Sequence, residues 1–221
     1  MNTNARVAVL FTVGVIALLA LVVAVAFLVQ PRPETPATNP QTELPSTLRD
    51  DTHRLSEGST EVVLVEFLDF ECESCGAFYP YVEELRAEYG DRVTFAFRYF
   101  PLPGHGNSVN AAVAVEAASR QGRLEEMYAR LFETQTAWGE RGAESQAPLF
   151  RQYAEELGLD LARYDADVAD AEVRARVDSD FQDGIALGVQ STPTFFLNDV
   201  RVELSSFDDL RAALEEALAN G

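Results

Sequence analysis

The run Val62 to Leu68, VVLVEFL, constrains the fold more than any other stretch of this chain. A half-exposed strand alternates apolar and polar residues. A nearly unbroken apolar run is the mark of a strand covered on both faces. The spacing places this strand over Glu61 to Phe70. A helical pattern comes next, over Ser74 to Tyr89. Phe78, Val82, Leu85 and Tyr89 recur there every three or four residues, and Gly90 supplies a stop. Arg92 to Phe100, RVTFAFRYF, reads as a second strand. A β-α-β start implies a parallel pair joined by a right-handed crossover. Strand signals then vanish for about 80 residues of helical pattern, from Gly104 to Leu187. In that block Asn107 or Ser108, Pro148 and Asp160 stand where helices open. Strands resume at Pro193 to Leu197 and at Val200 to Glu203. An amphipathic helix with Phe207, Leu210, Leu214 and Leu218 on its apolar face ends the chain. The class is α/β, with a helical subdomain inserted into the sheet order.

The 23 residues Val7 to Val29 carry no charge. About 20 apolar residues suffice to cross a bilayer, and a signal-peptide core is shorter, ~7–15. A single transmembrane helix is therefore expected over 7–29, behind a cytoplasmic stub of residues 1–6. Ala24-Val25-Ala26 has the form of a cleavage site, which leaves a removable leader as the alternative. Arg6 and the terminal amine lie on the short side, so residues 30–221 are expected outside the cytoplasm. Gln30 to Glu57 contains five prolines and few large apolar residues, and reads as an extended linker. Residues 58–221 then form one domain large enough for its own core. All 17 basic residues are arginine, against 36 acids, and 16 of those arginines lie beyond residue 29. A surface so acidic argues against nucleic acid as a partner.

Cys72 and Cys75 are the only cysteines. They lie at the junction between the first strand and its helix. Three uses compete for them. A zinc site needs about four ligands. The chain offers these two thiols, His53 in or beside the linker, and His105. A structural disulfide would close a loop too small to remove much chain entropy. A redox pair needs one stabilised thiolate, and a helix N-terminus supplies free N–H groups for it. A C-x-x-C beside a β-α-β pattern favours the redox use. Farther on, Thr192-Pro193 precedes the third strand. An X-Pro bond in a tight turn is the ordinary place for a cis peptide, and a trans loop proline is the alternative. A cis bond there would leave a backbone edge for an extended peptide.

The chain from about Gly58 resembles the DsbA-like family of thioredoxin-fold thiol–disulfide oxidoreductases. The likeness rests on VVLVEFLDFECESC, on FPLPGH followed by an Ala-rich helix and QGRLEEMYARLF, and on GVQSTPTFFLN. It implies a thioredoxin-like fold with an inserted helical subdomain, about 104–187. It implies that Cys72 is the attacking thiol and Cys75 the buried resolving one. Thr192 and Pro193 would form the substrate-binding cis-proline loop. Pro80 matches a helix-kinking proline of thioredoxin-like proteins. No cofactor or metal is expected beyond the redox-active Cys72–Cys75 disulfide. Substrates would be exported proteins with thiols or disulfides. A membrane quinone-linked reoxidase, of the DsbB or vitamin-K-epoxide-reductase-like kind, would restore an oxidant. A reductase or isomerase, for example in cytochrome maturation, and a non-catalytic tethered binding module are the alternative functions.

The acids around the thiols set the remaining expectations. Strand alternation turns Glu66 toward one covered face, six residues before Cys72. Desolvation should raise its pKa. Thioredoxin-like proteins carry an acid at that spacing, so Glu66 is either a buried proton acceptor for Cys75 or a hydrogen-bonded strand acid. Glu73 and Ser74 lie between the cysteines and would tune the Cys72 pKa. Glu73, with Asp69 and Glu71 screened by solvent, is expected to oppose the thiolate and nearly cancel the pull of the helix N-terminus. His105 reads as a loop or packing residue, and Trp138 as packing.

Overall fold

The computed structural model describes residues 44–139, 142 and 144–220. The transmembrane helix expected over 7–29 and most of the expected linker lie outside the described residues. Among the described residues, no helix is long and apolar enough to cross a membrane.

The sheet has five strands in the order β1-β3-β2-β4-β5. They are β1 (His53–Arg54), β2 (Val63–Leu68), β3 (Thr94–Tyr99), β4 (Thr194–Leu197) and β5 (Val200–Arg201). The apolar run forms the central strand. It pairs in parallel with β3 and antiparallel with β4. Helix α1 (Glu73–Tyr89) makes the crossover from β2 to β3, with Pro80 inside it. Six helices fill the gap in the strand pattern: α2 (Ser108–Ser119), α3 (Leu124–Glu133), α4 (Gln135–Trp138), α5 (Ala147–Glu156), α6 (Leu161–Ala169) and α7 (Ala171–Ala186). Helix α8 (Asp208–Asn220) closes the unit. The mixed α/β, thioredoxin-like class expected from the sequence is the one observed.

Alternation along the strands divides the core. Leu64, Leu68, Phe95, Phe97, Tyr99 and Phe195 face the layer that holds Cys75, Val82 and Leu85 of α1, and Leu210 and Leu214 of α8. Val65, Phe67, Ala96 and Phe196 face the other way, against Phe181 of α7 and Leu48. Both faces of β2 are covered, which is why its apolar run is almost unbroken.

The domain boundary differs from the expected one. The compact unit begins at Leu44, not Gly58. Residues 44–57 carry few large apolar groups, so hydropathy hides what holds them. Their attachment is polar. The β1 residues His53 and Arg54 pair with Phe97 and Ala96 at the edge of the sheet. Thr47 donates its N–H and hydroxyl to Asp199. Arg49 reaches Asp183 at 2.7 Å and Asp180 at 3.1 Å. Those two acids also hold Arg98, whose guanidinium is fully buried under α7. Buried charges require such pairing. His53, assigned above to the linker or its margin, bonds Glu116 at 2.6 Å.

Candidate active site

Strand β2 ends at Leu68, and four residues later Cys72 stands as the N-cap of α1 in extended conformation. Its carbonyl accepts the Gly76 N–H at 3.1 Å and the Gln135 side-chain amide at 2.8 Å. Gln135 also donates to the Phe70 carbonyl at 2.8 Å, so one side chain of α4 clamps the turn that carries the thiols. Gly76 leaves room for it, since a Cβ there would lie 2.0 Å from Gln135 Oε1. Both cysteines are free thiols, with Cys72 7% exposed and Cys75 fully buried. Cys72 Sγ faces the Thr192 carbonyl at 3.4 Å, and the Thr192–Pro193 bond is cis. The loop before β4 thus meets the start of α1 at Cys72. Beside it, Ser74, Phe78, Pro193, Leu204 and Phe207 line an open groove. Phe78 and Phe207 meet in it with ring centroids 4.4 Å apart.

The two thiols are electrostatically unlike. A hydrogen bond from Cys75 is the main influence on Cys72. Burial opposes ionisation, but Thr192 and the N–H groups of Cys75 and Ser74 add to the pull, lowering the Cys72 pKa to about 5. Burial pushes Cys75 well above the usual thiol range, helped by its hydrogen bond to Cys72 and by the charges of Glu66 and Cys72. Glu66 lies on β2 opposite Phe97 of β3 and Phe195 of β4, and is 5% exposed. Burial first, then the charges of Glu83 and Cys72, raise its carboxyl to about 8. One site therefore holds an acidic thiol, a thiol that keeps its proton, and a carboxyl that gains or loses one near neutrality.

The remaining acids are not where the sequence suggested. Asp69 and Glu71 are both 2% exposed, so solvent does not screen them. Asp69 accepts the N–H groups of Glu71 and Leu102 at 2.9 Å each, the Ser108 hydroxyl at 2.6 Å, and His105 Nδ1 at 2.7 Å. Glu71 accepts the Asn107 N–H at 2.6 Å. Both carboxylates tie the turn between β2 and α1 to the start of α2. Glu73 and Ser74 are exposed in the first turn of α1, and no acid is among the leading influences on Cys72. The expected near-cancellation gives way to a net lowering, because converging hydrogen-bond donors outweigh an exposed charge. Gln135 and the scaffolding role of Asp69 were missed. Gln135 comes from the inserted helices, where no sequence pattern ties it to the thiols. Asp69 showed only as one acid among several.

Residues 49–216 match the thioredoxin family. The thioredoxin-like oxidoreductase of Silicibacter pomeroyi DSS-3 superposes with a TM-score of 0.65 at 27% identity, covering 78% of this chain and 95% of that one. The α-DsbA1 of Wolbachia pipientis gives a TM-score of 0.67 at 18% identity, covering 76% and 92%. A Na(+)/H(+) antiporter, NhaA 1 of Mycobacterium sp. strain KMS, is 36% identical over 154 residues. That match takes in 67% of this chain and 24% of the antiporter, so this chain spans about a quarter of the length of the curated relatives it matches. With a C-x-x-C at the start of α1 and a helical insertion between β3 and β4, the chain belongs to the thioredoxin family and shares the fold of the DsbA-like thiol–disulfide oxidoreductases.

Proposed function

We propose that this chain forms or exchanges disulfides in exported proteins through Cys72 and Cys75, on the outer face of a membrane to which residues 7–29 anchor it. The observation that carries this reading is the asymmetry of the pair: an ionisable thiol at a helix start beside an open groove, and a protonated thiol buried behind it. As an oxidant, the Cys72–Cys75 disulfide is attacked at Cys72 by a substrate thiolate. The S–S bond breaks, Cys75 leaves with the electron pair and takes a proton, and a mixed disulfide forms. A second substrate thiolate attacks the substrate sulfur of that mixed disulfide and releases Cys72 as a thiolate. The substrate has lost two electrons and the pair has gained them. A reductase runs the same steps backward, with Cys75 resolving the mixed disulfide.

A stabilised Cys72 thiolate stabilises the reduced pair, which favours oxidation of substrates. The value of about 5 lies between the thiols of thioredoxin, ~7, and DsbA, ~3.5. The potential should accordingly fall between their ~−270 and ~−120 mV. A membrane quinone-linked reoxidase of the DsbB or vitamin-K-epoxide-reductase-like kind would then regenerate the disulfide. Equilibration of the full chain with glutathione, with the thiols trapped by alkylation, tests the reading. A potential in that window, together with loss of exchange in Cys72→Ser and a trapped mixed disulfide in Cys75→Ser, supports it. A potential at or below that of thioredoxin would make the protein a reductant. A pair that cannot be reduced and reoxidised would leave only a binding module.

A further inference from the structure

Asp69 contacts both cysteines, the backbone of one and the sulfur of the other, and one imidazole. Its carbonyl accepts the Cys72 N–H at 3.1 Å, and its own N–H meets Cys75 Sγ at 3.5 Å. Its carboxylate holds His105 Nδ1 at 2.7 Å. His105 is fixed from behind as well. Its N–H bonds the Leu102 carbonyl at 3.0 Å, and the Leu102 N–H bonds the same Asp69 oxygen at 2.9 Å. The exchange steps set out above make no use of this residue.

We propose that His105 is a positioning residue of the couple: oriented by Asp69, its imidazolium stabilises the Cys72 thiolate and so helps set how oxidising the pair is. The inference rests on the redox reading of Cys72 and Cys75. Its physical basis is compensation. Asp69 and Glu71 bring two buried carboxylates to the turn that leads into Cys72, and like charges beside a thiolate disfavour it. A protonated His105 cancels part of that field. A neutral one leaves it in place. Asp69, from the turn after β2, touches His105, and the charges of Cys72 at the start of α1 and of Glu71 act on it from farther away. Burial disfavours the imidazolium, but the bond and charge of Asp69, then the charges of Cys72 and Glu71, outweigh it and raise its pKa above 6.5. The stronger influences on Cys72 are Cys75, Thr192 and the N–H groups, so the share of His105 should be modest.

Linkage makes the test sharp. Whatever protonation of His105 does to the Cys72 equilibrium, ionisation of Cys72 does equally to His105. NMR titration of the His105 imidazole in the full chain in detergent, reduced and oxidised, reads the coupling without a substitution. His105 should titrate about half a unit higher in the reduced protein. His105→Gln should raise the midpoint of Cys72 alkylation by the same half unit. It should also shift the glutathione equilibrium about threefold toward the disulfide, or ~15 mV for a two-electron couple. Equal His105 midpoints in a wild-type protein that cycles between dithiol and disulfide would overturn this proposal alone. A wild-type pair that never cycles would overturn the redox reading, and this proposal with it.

Discussion

Glu66→Gln should make the reduced protein more stable at neutral pH, and the gain should disappear in acid. Glu66 is buried in the central strand between the positions of Phe97 and Phe195. Its carboxyl ionises at about 8, against an ordinary value of 4.5. Below pH 4 it is protonated in both folded and unfolded chains, so its ionisation costs nothing. Between the two values the unfolded chain has released the proton and the folded chain still binds it. Stability then falls by ~1.4 kcal/mol for each pH unit, because the unfolded state binds fewer protons. At pH 7 the accumulated cost is ~3 kcal/mol, and it levels off above pH 8 near ~5 kcal/mol.

Glutamine keeps the shape of the protonated acid and cannot ionise, so it removes this cost. Urea denaturation of the two reduced proteins from pH 4 to pH 8 measures the difference. The curves should coincide near pH 4 and separate steadily to ~3 kcal/mol at pH 7, equivalent to ~6–12 °C in melting temperature for a domain of this size. A pH-independent gap, or a variant less stable at pH 7, would refute the reasoning. The same substitution should slow exchange, since Cys75 loses a nearby group able to accept its proton. A residue that costs stability and serves chemistry is a common mark of a functional site.

Two further outcomes follow from the site. The rate of Cys72 alkylation in the reduced protein should rise with pH through a midpoint near 5 and be level by pH 7, and Glu73→Gln should leave that midpoint within ~0.3 unit, because Glu73 is exposed and its charge is screened. A midpoint near the ordinary thiol value, or a clear fall in Glu73→Gln, would contradict this. Gly76→Ala should drive Gln135 off the Phe70 and Cys72 carbonyls and lower stability by ~1–3 kcal/mol in a thermal melt, whereas an unchanged melt would show that the clamp contributes little.

The sequence carried the sheet and the place of the cysteine pair because both have local signatures. The apolar run fixed β2 as central, and the Cys72–Cys75 spacing fell where a helix had to begin. The polar attachment of residues 44–57 had no such signature. Arg49, Thr47 and the short β1 read as linker chemistry until Asp180, Asp183 and Asp199 are brought to them from more than 100 residues away. Gln135 is hidden for the same reason, since its partners Phe70 and Cys72 lie more than 60 residues earlier.

The four acids near the thiols show how far local reasoning reaches. Glu66, Asp69, Glu71 and Glu73 look alike in the sequence, as negative charge gathered around a nucleophile that negative charge should suppress. Strand alternation separates one of them: it turns Glu66 inward, and burial then keeps its proton on near neutrality. Glu73 lies in the first turn of α1, exposed to water that screens it. Asp69 and Glu71 occupy the turn between strand and helix, where no period applies. Their fate is decided by the donors that the β3–α2 connection and the start of α2 deliver: Leu102, His105, Asn107 and Ser108. Each of these bonds turns a donor dipole toward a carboxylate and holds the turn in place. The donors that converge on Cys72 itself, from Cys75, Thr192 and the N–H groups of Cys75 and Ser74, then outweigh the acids around it, and its pKa falls to about 5.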